Sequence, residues 1–145
     1  MDDIRAIRRY QVGDRIYVQA QRIWLLLAAF VSGPTRKPDD PITLTYGDVA
    51  EAMGYDRRAG QTLWRQLGIV GNYCVHNKLP ALNSIVVNRI SGDPGDEVVL
   101  SPGNENPKDE WKAVFKTNWL EFGVPTTGTL RKVWESMPVS ARGGA

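Results

Sequence analysis

The fold of this chain is decided by the stretch Thr45-Tyr46-Gly47-Asp48-Val49-Ala50-Glu51-Ala52-Met53-Gly54. The Thr45 side chain is suited to cap a helix, because its oxygen can accept a hydrogen bond from a free backbone N–H in the first turn. Val49 and Met53 lie four residues apart and predict a buried face. Gly54 is suited to the left-handed turn that ends a helix. The stretch therefore predicts a helix from Tyr46 to Met53 that is followed by a sharp turn.

A second helical pattern follows this turn. Asp56 is its predicted N-cap, and its apolar residues are spaced four, three and four apart: Leu63, Leu67, Val70 and Cys74. Gly68 and Gly71 weaken the helical pattern, which Asn77 and Pro80 should end. The sequence after Pro80 predicts a strand over residues 84–90, then a Pro-Gly turn, and then a second strand over residues 97–100. Two strands joined in this way indicate a β-hairpin.

The flanking segments predict further helices. Apolar residues three and four apart mark a core helix over residues 14–32, and the proline-rich residues 33–41 should form an exposed loop. Helical spacing returns over residues 108–122, and a last short helix is predicted over 129–137. Residues 140–145 should form a loose tail.

The order helix, turn, helix and hairpin is that of a winged helix-turn-helix. We therefore predict an α+β chain with one domain over residues 1–145. Residues 14–32 form the core helix, residues 42–100 form the helix-turn-helix with its β-hairpin wing, and residues 108–137 form the C-terminal helices. This fold indicates that the protein binds nucleic acid rather than catalyses a reaction.

Composition limits the function classes. The 145 residues are 42% hydrophobic and 23% charged, which is typical of a globular protein, and the net charge of +2 excludes a bulk polycation that coats DNA. Cys74 is the only cysteine, so an internal disulfide is excluded and a cytoplasmic location is the default expectation. The apolar run from Ile23 to Val31 is too short to span a bilayer, so no membrane association is expected.

The motif resembles the DNA-binding domain of the O6-alkylguanine-DNA alkyltransferases and of the catalytically silent alkyltransferase-like proteins. The likeness covers roughly residues 42 to 95 and rests on Thr45-Tyr46-Gly47, a glycine-ended turn, a helix arginine and a Val-Val strand. It implies that Tyr46 contacts the phosphate beside a target nucleotide. It also implies that Arg58, or Arg57 one residue earlier, fills the gap left by a flipped base.

The family's nucleophilic cysteine is absent. Counting back from Val86, Asn83 stands where the family has that cysteine, and no neighbouring residue restores a Cys-His pair. Because an amide cannot accept an alkyl group as a thiolate does, alkyl transfer is not expected. The pattern from Ile69 to Asn88 also resembles small uncharacterised bacterial and phage proteins, which adds no mechanism.

Candidate DNA-binding residues are the tyrosine and the arginines of this region: Tyr46, Arg57, Arg58, Arg65 and Arg89. Arginines on a recognition helix would lie in a DNA groove and offer guanidinium groups to bases or phosphates. The alternative is a solvated helix surface for the arginines and simple packing for Tyr46. Trp64 is either a core residue, like most of the tryptophans, or a half-exposed ring that stacks on a base or docks a protein.

Catalytic and metal sites are not indicated by the spacing. Cys74 and His76 are two residues apart on a helix, so their side chains diverge. A nuclease site would combine Lys112 either with Glu110, from which it diverges in the same way, or with the turn carboxylates Asp93, Asp96 and Glu97. One histidine and scattered carboxylates predict no metal and no cofactor. We predict a non-enzymatic DNA-binding protein. A protein-interaction module, such as a small phage or mobile-element factor that binds or inhibits a host protein, is the alternative, and a nucleic-acid-processing enzyme is the third possibility.

Overall fold

The computed structural model describes residues 15–33 and 36–138. Within these residues the chain is a mixed α+β protein, in which five α-helices accompany a two-stranded parallel sheet. The predicted tail at 140–145 lies outside the described residues, as does Asp14 at the start of the first predicted helix. No helix in the described ranges is both long enough and apolar enough to cross a membrane.

The first helix, α1, spans Arg15–Val31, which agrees with the prediction over residues 14–32. Its buried residues recur every three or four positions, as in Ala20, Ile23, Trp24 and Leu27. With this apolar face it packs against two other helices, α3 (Trp64–His76) and α5 (Thr127–Ser136). Burial of that face makes α1 a central element of the core.

The deciding stretch folds as predicted. After the short strand β1 (Leu44–Thr45), helix α2 spans Tyr46–Ala52. The Thr45 Oγ1 accepts a hydrogen bond from the Asp48 N–H at 3.1 Å, and the Asp48 carboxylate accepts one from the Thr45 N–H at 2.9 Å. These two bonds form a reciprocal capping box. Gly54 follows with a φ of +85°, the left-handed turn that favours glycine.

The second predicted helix is divided into two. Asp56 caps it as predicted, but residues Arg57–Leu63 form a 3₁₀ helix, and only Trp64–His76 form the α-helix α3. The 3₁₀ helix lies directly on α2, since a Cβ added at Gly60 would lie 2.5 Å from the Tyr46 carbonyl carbon. A residue without a side chain at position 60 therefore permits this close packing.

Helix α3 does not offer a long free face. Every residue from 66 to 71 is buried. Because an α-helix turns once every 3.6 residues, a run of this length places buried residues on all sides of the helix. The prediction of an exposed recognition helix is corrected accordingly: what remains exposed is most of the 3₁₀ helix and the two ends of α3, with Arg65 near its start and Val75 and His76 at its end.

Gly68 and Gly71, which weakened the helical pattern, both lie inside α3 and are buried. At Gly71 an added Cβ would lie 2.6 Å from the Asn83 Oδ1. Gly71 therefore marks a close contact between α3 and the buried segment around Asn83. The packing gained there outweighs the low helix propensity of glycine.

The predicted β-hairpin wing is wrong. Residues Leu82–Ile85 form a 3₁₀ helix, and strand β2 is Val86–Val87, which pairs in parallel with β1. Residues 97–100 form no strand, and the antiparallel contact that the structure gives this segment is one bridge between Val87 and Pro94. Pro94 has no backbone N–H, so it cannot continue an antiparallel ladder. Val86 and Val87 are buried and therefore belong to the core rather than to an exposed wing.

The first C-terminal helix is shorter than predicted, whereas the second begins two residues earlier and ends one residue earlier than predicted. The pattern over 108–122 forms α4 (Pro107–Lys116) and a separate 3₁₀ helix (Trp119–Glu121), and α5 spans Thr127–Ser136. The chain leaves the helix because Trp119 turns into the core, where it is 1% exposed. Its indole N–H donates to the Val114 carbonyl at 2.7 Å, which satisfies an acceptor at the end of α4.

One buried carboxylate joins α4 to two loops. Glu110 is fully buried and accepts hydrogen bonds from the Ala81 N–H at 2.7 Å and the Ser101 N–H at 2.8 Å. The Ser101 hydroxyl at 2.6 Å and the Asn104 amide at 2.9 Å complete the set. Burial alone would raise the pKa of Glu110, but the hydrogen bonds outweigh it and hold that pKa below its usual range.

Candidate nucleic-acid interface

Tyr46, the first residue of α2, lies at the predicted surface but is itself 7% exposed. Its hydroxyl donates to the Glu97 carboxylate, whose Oε2 lies 3.0 Å away, and it accepts a hydrogen bond from the Gly95 N–H at 3.0 Å. A Cβ at Gly95 would overlap this hydroxyl. Tyr46 therefore ties the loop of residues 95–97 to the start of α2.

Both partners in this contact have perturbed acidities. Burial and the bond to Glu97 raise the pKa of Tyr46. Burial likewise raises the pKa of Glu97, although the Tyr46 hydrogen bond opposes that shift. A carboxyl with a raised folded-state pKa contributes stability below its unfolded pKa and loses that contribution as the pH rises through the folded value.

Tyr46→Phe is expected to lower the free energy of unfolding by about 1–2 kcal/mol, because the Glu97 carboxylate and the Gly95 N–H both lose a partner. Urea denaturation measures this loss. Tyr73→Phe is the matched control, since the structure gives the Tyr73 hydroxyl no hydrogen bond within residues 15–33 and 36–138. Equal stabilities of the two variants would show that the Tyr46 hydroxyl does not hold the loop.

Arg57, the first residue of the 3₁₀ helix, is engaged by acidic residues of α2. Its guanidinium forms ion pairs with Asp48, at 3.0 Å, and with Glu51, and it donates to the Thr45 Oγ1 at 3.2 Å. The Thr45 N–H, and then the Arg57 guanidinium, lower the pKa of Asp48. Arg57 therefore joins the 3₁₀ helix to α2 and presents a neutralised charge to solvent.

Arg58 and Arg89 are exposed beside it. The Arg58 side chain is 91% exposed and pairs with its own helix cap, Asp56, at 3.0 Å. Such an exposed pair contributes little to stability, so a phosphate can replace Asp56 at small cost. Arg89 follows β2 and has no carboxylate within ion-pair distance among the described residues. Both arginines line a cleft of about 380 Å³, together with Arg57 and Gln61; we call it the arginine cleft.

Trp64 is half-exposed, which agrees with the second of its two predicted placements. The Arg65 guanidinium carbon lies 5.3 Å from the centre of its ring, within the range of a cation–π contact. Trp64 lines two clefts. One, of about 360 Å³, also contains Tyr46, Asn88, Asp96 and Glu97; we call it the tyrosine cleft.

The second cleft that Trp64 lines measures about 510 Å³, and we call it the α1 cleft. It contains Arg65 and the first residue of α1, Arg15. Gln61 lines all three clefts. The arginine, tyrosine and α1 clefts are therefore neighbours along one surface, which we call the trough.

The trough brings together all six residues that the sequence singled out: Tyr46, Arg57, Arg58, Trp64, Arg65 and Arg89. Three further residues that line it were not predicted as DNA-binding residues, namely Arg15, Gln61 and Glu97. Gln61 follows Arg58 by three residues, which is one turn of a 3₁₀ helix, so the helix type would have placed both on one face. Arg15 and Glu97 are distant in sequence, and local spacing carries no signal for them.

The other reactive residues lie outside the trough. Asn83 is 1% exposed and its amide has no hydrogen-bond partner among the described residues. Cys74 is fully buried, and burial raises the pKa of its thiol to about 12. His76 is exposed, with its Nε2 3.4 Å from the Ser136 Oγ. Across residues 15–33 and 36–138, no group of three or more His, Cys, Asp or Glu residues is arranged to hold a metal ion.

No known protein family model matches this chain, and neither the curated proteins nor the solved structures contain a match.

Proposed function

We propose that this protein is a non-enzymatic DNA-binding protein whose ligand lies in the trough. The observation that carries the proposal is that Arg15, Arg58, Arg65 and Arg89 line one trough together with the half-exposed Trp64. Guanidinium groups neutralise phosphates, and an aromatic ring offers a stacking surface for bases. The resemblance to the alkyltransferase winged-helix domains points to the same class of ligand.

The accessible charge supports the same assignment. Arg15, Arg65 and Arg89 have no carboxylate within ion-pair distance in the described part of the chain. A surface arginine that is not paired with a carboxylate attracts a phosphate without first breaking an ion pair. Arg58 adds a weakly paired fourth guanidinium. Asp48, Glu51 and Asp56 offset Arg57 and Arg58, so the accessible positive charge of the trough comes mainly from Arg15, Arg65 and Arg89.

Not every candidate residue contacts the ligand in this proposal. The hydroxyl of Tyr46 is bonded to Glu97, and the guanidinium of Arg57 is held by Asp48 and Glu51. We assign both residues to positioning the walls of the trough. This differs from the phosphate contacts that the sequence suggested for Tyr46 and Arg57, whereas Arg58, Arg65 and Arg89 keep their proposed contacts with DNA.

Single alanine variants of Arg58, Arg65 and Arg89 are each expected to weaken DNA binding about fivefold. Each should also reduce the slope of log affinity against log salt by about one, because one phosphate contact is lost. Fluorescence anisotropy of labelled DNA at several salt concentrations measures both quantities. Arg22→Ala is the matched control, since Arg22 is an exposed arginine of α1 that lines none of the three clefts.

Absence of salt-sensitive binding by the wild-type protein would refute the proposal. If Arg22→Ala weakens DNA binding as much as the variants of Arg58, Arg65 and Arg89 do, the DNA does not bind in the trough.

A different surface favours the second candidate function, a protein-interaction module. Leu120, Phe122 and Val124 follow α4 and are 69%, 37% and 47% exposed. Phe122 lines a cleft of about 350 Å³ together with Trp24 and Tyr73. Exposed apolar side chains in a row are typical of protein contacts. This function predicts no effect of Arg58→Ala on partner binding and a loss of binding on Phe122→Asp.

A further inference from the structure

The shape of the trough constrains the form of its DNA ligand, and this inference rests on the proposed function. A helix that reads duplex DNA enters the major groove with a long exposed face. Helix α3 has no such face, because residues 66–71 are buried on all sides. The part of this region that lines the trough is the 3₁₀ helix with Trp64 and Arg65, and it borders three concave clefts. A concave surface fits a strand that can enter it more closely than a wide, rigid duplex.

Trp64 lies where a base would be held. It lines both the tyrosine cleft and the α1 cleft, so its indole separates two spaces that are each large enough for planar groups. In duplex DNA the faces of the bases are stacked on each other and are not available to a protein ring. In a single strand they are available, and stacking on an aromatic side chain requires no particular sequence.

Charge divides the trough into regions suited to different parts of a nucleotide. Arg58 and Arg89 lie in the arginine cleft, and Arg65 lies with Arg15 in the α1 cleft. Between them, the tyrosine cleft carries the carboxylates of Asp96 and Glu97. Carboxylates repel phosphates but accept hydrogen bonds from the amino groups of bases. The tyrosine cleft therefore suits a base, whereas the two flanking clefts suit the phosphates on either side of it.

We propose that the trough binds single-stranded DNA, with one base stacked on Trp64 in the tyrosine cleft and the neighbouring phosphates on the arginines of the two flanking clefts. Phosphates would contact Arg58 and Arg89 on one side and Arg15 and Arg65 on the other. Gln61, which lines all three clefts, would contact the strand where it passes Trp64.

The experiment compares a labelled single strand of mixed sequence, of about 15 nucleotides, with the duplex formed by its unlabelled complement. Anisotropy titrations are run on the full chain as wild type and as Trp64→Leu, Trp64→Phe and Phe122→Ala. Leucine keeps apolar contact without a ring, phenylalanine keeps a ring, and Phe122 is an exposed aromatic residue outside the trough. Circular dichroism and the unfolding temperature establish that each variant is folded.

The wild type is expected to bind the single strand at least about tenfold more tightly than the duplex. Trp64→Leu should weaken single-strand binding about tenfold, whereas Trp64→Phe should keep most of it and Phe122→Ala all of it. If Trp64→Leu does not fold, Trp64→Phe alone tests the inference. It should then bind the single strand with a reduced but measurable affinity and bind the duplex as the wild type does.

Two results would overturn the inference, and they differ from failure of the proposed function. Tighter binding of the duplex, or single-strand binding that is the same in all Trp64 variants but weakened by Arg89→Ala, would leave DNA binding in place and remove the stacked single strand. No salt-sensitive binding of either form would remove both proposals together.

Discussion

Glu110→Gln is expected to lower the free energy of unfolding by about 3 kcal/mol. The two carboxylate oxygens of Glu110 receive one backbone N–H each, from Ser101 at Oε1 and from Ala81 at Oε2. Glutamine replaces one of these oxygens with an NH₂ group, which then faces a backbone donor in either orientation. Because Glu110 is fully buried, water cannot compensate for the lost acceptor.

The pH dependence of stability gives a second readout of Glu110. Its hydrogen bonds hold its folded-state pKa below the usual value, so the carboxylate stabilises the fold above the unfolded pKa. This contribution is lost as the pH falls through the folded-state pKa. Urea unfolding should therefore show a larger loss of stability in the acid range for the wild type than for the glutamine variant, which keeps only the contributions of other carboxylates such as Asp48.

Glu105→Gln is the matched control for both measurements, because Glu105 lies in the same loop region but is exposed. It is expected to change stability by less than about 0.5 kcal/mol. Equal stabilities of the Glu110 and Glu105 variants at neutral pH would show that the buried carboxylate does not join α4 to the two loops.

Gly60→Ala is expected to cost about 2–4 kcal/mol and to disrupt the trough. The added methyl group would lie 2.5 Å from the Tyr46 carbonyl carbon and 2.8 Å from the Gly47 nitrogen. Both are backbone atoms, so the strain cannot be relieved by turning a side chain. The 3₁₀ helix must move away from α2, and it carries with it Arg58 and Gln61 of the arginine cleft.

Thermal unfolding and DNA anisotropy on Gly60→Ala measure the two consequences. Gly128→Ala is the matched control: Gly128 lies in α5, where an added Cβ would meet one atom, the Thr126 Oγ1, at an ordinary 3.9 Å. That variant should be neutral or slightly stabilised, because alanine favours the helix. A Gly60→Ala protein with wild-type stability would contradict the close packing of the 3₁₀ helix on α2.

The sequence predicted those elements whose causes are local. Thr45 and Asp48 cap α2 within one helical turn, and Asp56 caps the next helix through the N–H of Arg58 at 2.8 Å. The apolar spacing of α1 likewise depends only on neighbours three and four residues away. Interactions of this range can be recognised in a single sequence without knowledge of the fold.

The predicted hairpin failed for a reason of the opposite kind. Residues 84–87 have an apolar, β-branched character that suits a strand, and the turn that follows suggested a partner at 97–100. The actual partner is β1, whose pairing places Leu44 opposite Val86. Short apolar segments do not specify which edge they join, so the pairing depends on the burial of Val86 and Val87 beneath the surrounding helices.

By itself, the sequence predicted the α+β class, the capped helices and six of the residues that line the trough. Only the tertiary structure decided what those residues are available to do. Contacts across the fold occupy Tyr46 with Glu97, pair Arg57 with Asp48 and Glu51, and bury the middle of α3, while Trp64 stays half-exposed. The physical reason is that the charge and exposure of a side chain depend on its neighbours in space, and residues such as Tyr46 and Glu97 are far apart in the chain.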